Sequence, residues 1–193
     1  MTQTTIDRMR AVLALGALLL TAQTSAPAGS AQAWCATIPL PLPDLPSMRS
    51  DVDTQTIHRA REAPCRTLEV RTSRATLRLA VADTDARREY GLMKVPFVPA
   101  GQGMLFAFPD GDQRRNFWMK DTIAPLDMLF VNGDGTITSI AANVPATAPG
   151  TPDHKVARRD GRGRYVIELG AGEAARLGIA VGERLVIPAV TPQ

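Results

Sequence analysis

Trp118, Lys120, Asp121 and Asp127 fall within one short stretch, "NFWMKDTIAPLDMLF" at 116–130, where an aromatic pair, a lysine, two aspartates and a proline interrupt an apolar run. An indole ring beside fixed charges of both signs is what a small polar ligand needs: a flat apolar platform with polar groups that set its orientation. The same aspartates could instead serve hydrolysis, Asp127 acting with Asp121 or Glu168 as an acid/base pair, provided their separation and pKa values suit the task. Alternation along an extended chain puts Trp118 and Lys120 on one face and Phe117 and Met119 on the other. In "LDMLFV" both faces are apolar apart from Asp127, and a carboxylate buried there needs a partner. Lys120 and Trp118 Nε1 are the local candidates. A buried polar network fixing the corner from Lys120 to Pro125 competes with the binding-site reading.

Other residue clusters carry weaker chemistry. "HKVARRDGRGR" at 154–164 sets five basic side chains against Asp160 alone, and reads as a solvated loop in which Arg158 and Arg159 could contact an anion. Met93, Met104, Met119 and Met128 offer thioethers that could hold Cu(I), yet each sits in an apolar block where methionine fills core gaps. Gly170, Gly172 and Ala175 match a dinucleotide fingerprint, but Gly178 ends the following helix too soon and the acidic residue expected about 20 positions on is missing. His58 and His154 show no metal-ligand spacing, and no G-x-S-x-G occurs. No cofactor and no resident metal are expected.

The elements that would position these residues follow from pattern. Residues 1–33 read as a signal peptide, with Arg8 and Arg10 before "AVLALGALLL" and Ala31-Gln32-Ala33 as the cleavage site. Its apolar run is too short to span a bilayer, so no transmembrane span is expected after cleavage and the mature chain is placed in the periplasm or outside the cell. Without the signal, Lys+Arg falls from 22 to 20 and Asp+Glu from 19 to 18, a net +2. An exported, weakly basic chain lacking interleaved aromatics is not expected to have nucleic acid as its partner. Residues 34–66 form a proline-rich extended arm. In an oxidising compartment Cys35 and Cys65 would form a disulfide, stabilising the fold by about 3–4 kcal/mol through closure of a loop of about 31 residues.

Residues 67–190 then read as one mainly β domain. "TLEVR" and "TLRLAVA" make a hairpin, Asp83 or Thr84 caps a short helix closed by Gly91, and "GMLFAFP" is a buried strand. "NFWMK" and "LDMLFV" are strands, and "NGDG" turns the latter into "TITSIAANV". Residues 145–164 read as a long loop. "YVIEL", a short helix stopped by Gly178 and a last strand "RLVIPAV" complete the chain. Many strands, one or two short helices and no βαβ spacing predict a single-domain β sandwich or barrel.

The ordered blocks "GLM" at 91, "GMLFAFP" at 103, "FWMKDTIAPLDMLFV" at 117, "GDGTI" at 133 and "YVIELGAGEAARLGIAVGERL" at 165 resemble the bacterial and archaeal family called domain of unknown function 192, over about residues 76–187. The resemblance implies a small, predominantly β, commonly exported protein. It carries no catalytic residue to transfer, and the basic loop at 145–164 departs from the family pattern by being lengthened. The leading expectation is a binding module for a small polar ligand or cell-envelope component. An envelope hydrolase with paired carboxylates, and a structural or protein-interaction module docking through the arm, are the alternatives.

Overall fold

The computed structural model describes residues 66–192. The expected signal peptide, the expected proline-rich arm up to residue 65, both cysteines and His58 lie outside them.

Strands β1 (Thr67–Arg71) and β2 (Thr76–Ala82) pair antiparallel around a turn in which Thr72 Oγ1 accepts the Ala75 N–H at 2.8 Å. Helix α1 (Asp85–Tyr90) is capped by Thr84, whose Oγ1 accepts the Arg87 N–H, and is closed by Gly91 at φ +52°. Strands β3 (Gln102–Ala107), β4 (Gln113–Trp118), β5 (Leu126–Val131) and β6 (Ile137–Val144) follow. After a single 3₁₀ turn at Asp153–Lys155 come β7 (Arg158–Gly163), β8 (Tyr165–Gly170) and helix α2 (Glu173–Arg176).

Six strands form one sheet in the order β1-β2-β3-β8-β5-β6, and β4 with β7 forms a separate antiparallel ribbon. The sheet is open, so the fold is mainly β without closing into a barrel. Its centre is buried on both faces, as the unbroken burial of β5 shows, and is apolar apart from Asp127 on one face and Glu168 on the other. On one face Met104, Phe106, Met128, Phe130 and Val166 pack beneath the ribbon and the segments carrying Leu92, Val95 and Met119. On the other, Leu79, Leu105, Leu129, Ile167 and Leu169 pack beneath α2 and a C-terminal segment carrying Ile179, Leu185 and Val190. Each fully buried side chain of this size contributes roughly 1.5–3 kcal/mol.

Three expectations need correction. β2 and β3 are parallel neighbours, so the chain between them, with α1 in it, is a crossover of the kind that parallel pairing demands, against the expectation of no βαβ unit. The basic end of the loop expected at 145–164 is strand β7, six residues paired with β4 from Gln113↔Gly163 to Trp118↔Arg158. "RLVIPAV" is no strand: its backbone pairs in two isolated bridges, Arg71↔Val186 and Thr136↔Arg184, while Leu185 and Val190 pack on the sheet.

Candidate binding site on the two-stranded ribbon

β4 and β7 alternate. Arg115 and Phe117 turn inward, opposite Gly161 and Arg159, while Arg114, Asn116 and Trp118 face away, opposite Arg162, Asp160 and Arg158. The inward glycines let the ribbon lie flat on the sheet. A Cβ at Gly161 would enter the Phe130 ring, and one at Gly163 would meet the Val131 backbone. Phe117 fills the space beside them, edge-on to Phe106 at 4.9 Å and to Phe130 at 6.2 Å between centroids. Buried Arg115 pins the start of the ribbon: its guanidinium binds both Asp110 oxygens, donates from Nε to the Gly163 carbonyl at 3.0 Å and stacks 3.9 Å from the Phe108 ring centre. That contact holds the Asp110 carboxyl below its ordinary range.

The outward face carries the polar groups. The Arg158 guanidinium lies over the Trp118 ring at 4.8 Å from its centre. Asp160 accepts from Asn116 Nδ2 at 2.6 Å and from Arg114 at 2.9 Å, and these donors, Asn116 first, lower its carboxyl pKa. Asn116 Oδ1 in turn accepts from Arg158 at 3.4 Å. The result is a flat ladder of three arginines, one aspartate, one asparagine and one indole, its carboxylate already occupied, leaving a positive, partly aromatic strip open to solvent.

The other expected site residues disperse. β4 ends at Trp118, so Lys120 stands in the following turn, where Nζ donates to Asp153 at 2.5 Å, and that bond raises the lysine pKa. Lys120 is therefore not the partner of Asp127, and neither is Trp118. Asp127 is fully buried on the opposite side of the sheet and accepts three backbone N–H groups: Asn143 at 2.8 Å, Gly172 at 3.1 Å and Ala174 at 2.9 Å. Its carboxylate caps α2 and holds Asn143, which sits at φ +52° at the end of β6. The polar-network reading fits this residue, with backbone amides in place of a lysine. Asp121, at φ +50°, accepts the Lys94 N–H on its own backbone carbonyl at 2.8 Å, and its charge adds to burial in raising the Tyr90 pKa. Arg159 faces the other side of the ribbon from Arg158, so only Arg158 joins the Trp118 surface. His154 is exposed in the 3₁₀ turn.

Glu168 is sealed in the sheet under the ribbon side, and burial alone pushes its pKa up to about 8. Its strand neighbours there are Met104 and Met128. A shallow cleft of about 320 Å³ lies elsewhere, between the β5–β6 turn and the C-terminal segment, and its two charged residues, Asp134 and Arg184, are already joined through the Asp134 carbonyl at 2.8 Å. Among the described residues no cluster of three or more metal-ligating His, Cys, Asp or Glu side chains occurs, and no helix is long and apolar enough to cross a membrane.

A family model for DUF192, described as an uncharacterised ACR, matches residues 66–187. No curated protein matches the chain. Among solved structures, a Sinorhizobium meliloti 1021 protein assigned provisionally to transcription regulation is 36% identical with a TM-score of 0.55, covering 65% of this chain and 96% of that one. A Novosphingobium aromaticivorans protein of unknown function is 28% identical at the same TM-score, covering 65% and 89%. With the family model spanning well over half its length and the same β architecture in solved relatives, the chain belongs to the DUF192 family.

Proposed function

We propose that this protein is an exported binding module whose outward ribbon face takes an acidic, ring-bearing component of the cell envelope, such as a uronic-acid polysaccharide. The carrying observation is the Arg158 guanidinium laid over the Trp118 ring, with Arg114 and Arg162 further along the same face. A carboxylate on a sugar ring accepts from a guanidinium already oriented by its stacking on the indole, and the sugar packs beside that pair. No chemistry of the protein's own is part of this reading.

Calorimetric titration of the mature chain with polygalacturonate and with uncharged dextran tests it. Saturable binding of the acidic polymer alone is expected, weakened about tenfold in Arg158→Ala, the loss of about one charge-assisted hydrogen bond, and abolished in Trp118→Ala. Equal binding by Arg158→Ala, or no binding of either polymer, overturns the proposal.

A second reading, a nucleic-acid contact, is favoured by the arginine-bearing ribbon and by the assignment of the S. meliloti relative to transcription regulation. Tighter binding of an oligonucleotide than of polygalacturonate at equal ionic strength would move the assignment there.

A further inference from the structure

Beyond the ribbon face, the sheet beneath it holds polar groups that the fold leaves unused. Glu168 is 4% exposed, and among the described residues its carboxyl has no hydrogen-bond or ion-pair partner. Gln102 lies on β3 two residues before Met104 and on the same face, and its Oε1 is buried with no hydrogen-bond partner. Register sets Met104 on one side of Glu168 and Met128 on the other. Gly170, two residues beyond Glu168 on that face, leaves room for the Val98 carbonyl, which a Cβ there would approach to 3.2 Å. Oε1 of Gln102, the Val98 carbonyl and, once ionised, the carboxyl of Glu168 are acceptors, and the flanking thioethers are weak acceptors too. Gln102 and Glu168 are diagonal positions on this face, and a fold rarely leaves two such buried groups without partners, because each unpaired group costs about 1–3 kcal/mol.

We propose that Glu168 and Gln102 form the floor of a second binding site, beneath the 92–101 segment, for a small primary ammonium group. An ammonium brings three N–H donors and one positive charge; Glu168 supplies the countercharge, and Gln102 Oε1 and the Val98 carbonyl take the remaining donors. The methionines give the alkyl part of an amine a pliable apolar wall. Access runs along the start of β3, where Gln102 is only half-buried.

Binding is coupled to a proton. Near neutral pH the buried carboxyl holds one, which leaves as the ammonium enters, so the ion pair replaces a neutral acid. No charged side chain among the described residues bears on Glu168, since burial is the sole cause of its raised pKa. Affinity therefore increases about tenfold for each unit that the pH rises toward 8, where the carboxyl begins to ionise unaided.

Calorimetry of the mature chain with butylammonium, run at pH 6 and pH 7 in buffers of different ionisation enthalpy, tests the proposal. The expected result is saturable binding with one proton released per amine. Glu168→Gln, which keeps the shape, should weaken binding at least tenfold and remove the pH dependence; Gln102→Met should weaken it several-fold; Arg158→Ala should leave it unchanged, which separates this site from the ribbon face. Thermal melts of the variants show that each is folded. No saturable binding at millimolar butylammonium, binding unchanged in Glu168→Gln, or saturation by Ag(I) with no response to amines overturns it.

Discussion

Asp127 and Glu168 sit one register step apart on the paired strands β5 and β8, Asp127 opposite Leu169 and Glu168 opposite Met128, and so present their carboxyls to opposite faces of one sheet. An acid/base pair needs both carboxyls on one substrate. These two are separated by the sheet, and each answers burial differently: Asp127 through three backbone amides, Glu168 by keeping its proton.

The Glu168 proton makes stability depend on pH. Below about pH 4.5 the group is protonated whether folded or unfolded; from there to about pH 8 the unfolded chain releases a proton that the folded one keeps. Stability contributed by this group is thus fully present at low pH and falls as pH rises, by up to about 1.4 kcal/mol per unit. Glu168→Gln should gain steadily on the wild type in urea unfolding between pH 5 and pH 8. Parallel curves for the two proteins across that range would contradict the assignment.

Removing the Asp127 carboxylate strands three buried amides. Asp127→Ala should cost about 3 kcal/mol or more. In Asp127→Asn the amide oxygen can still serve Asn143 and Gly172, but its NH₂ meets the Ala174 N–H, so an intermediate loss is expected. Hydrogen exchange at Ala174 and Asn143 should accelerate in both variants; protection as in the wild type would show that other acceptors serve these amides.

At Gly161 the ribbon rests directly on Phe130. Gly161→Ala should lift it or displace the ring, costing roughly 1–3 kcal/mol or more by overpacking. The loss should appear in thermal melts together with a change in the Trp118 environment. A neutral effect would mean that the ribbon does not sit as close as the geometry places it.

The Lys120–Asp153 pair is a contrast. Asp153 is largely exposed, so the short contact competes with water and counter-ions. Lys120→Ala should leave the melting temperature unchanged within error and leave polygalacturonate binding intact. A large loss in either would return Lys120 to the site.

Much of the frame was legible because its signals are local. Thr84 and Gly91 bracket α1, "NGDG" joins β5 to β6, and the apolar run of β5 announces a strand covered on both sides. β7 escaped because its inward positions are Arg159 and two glycines, Gly161 and Gly163: close approach to Phe130 and Val131 removes the apolar alternation by which a strand is recognised. The partners of Asp127 escaped for another reason. They are backbone amides 16, 45 and 47 residues away, and side-chain types carry no trace of them. The Trp118–Arg158 stacking depends on the β4–β7 register and became visible only with that pairing. Glu168 was picked out by its chemistry, while its isolation from Asp127 follows from which way each strand faces.

β8 is the last strand made and the one that fills the middle of the sheet, between β3 and β5. During synthesis β3 and β5 each keep an open edge until residues 165–170 emerge, so the sheet cannot close from its beginning. Pairings of such long sequence separation are slow to form. The two halves of the sheet, β1-β2-β3 and β5-β6, can therefore join only when that strand arrives.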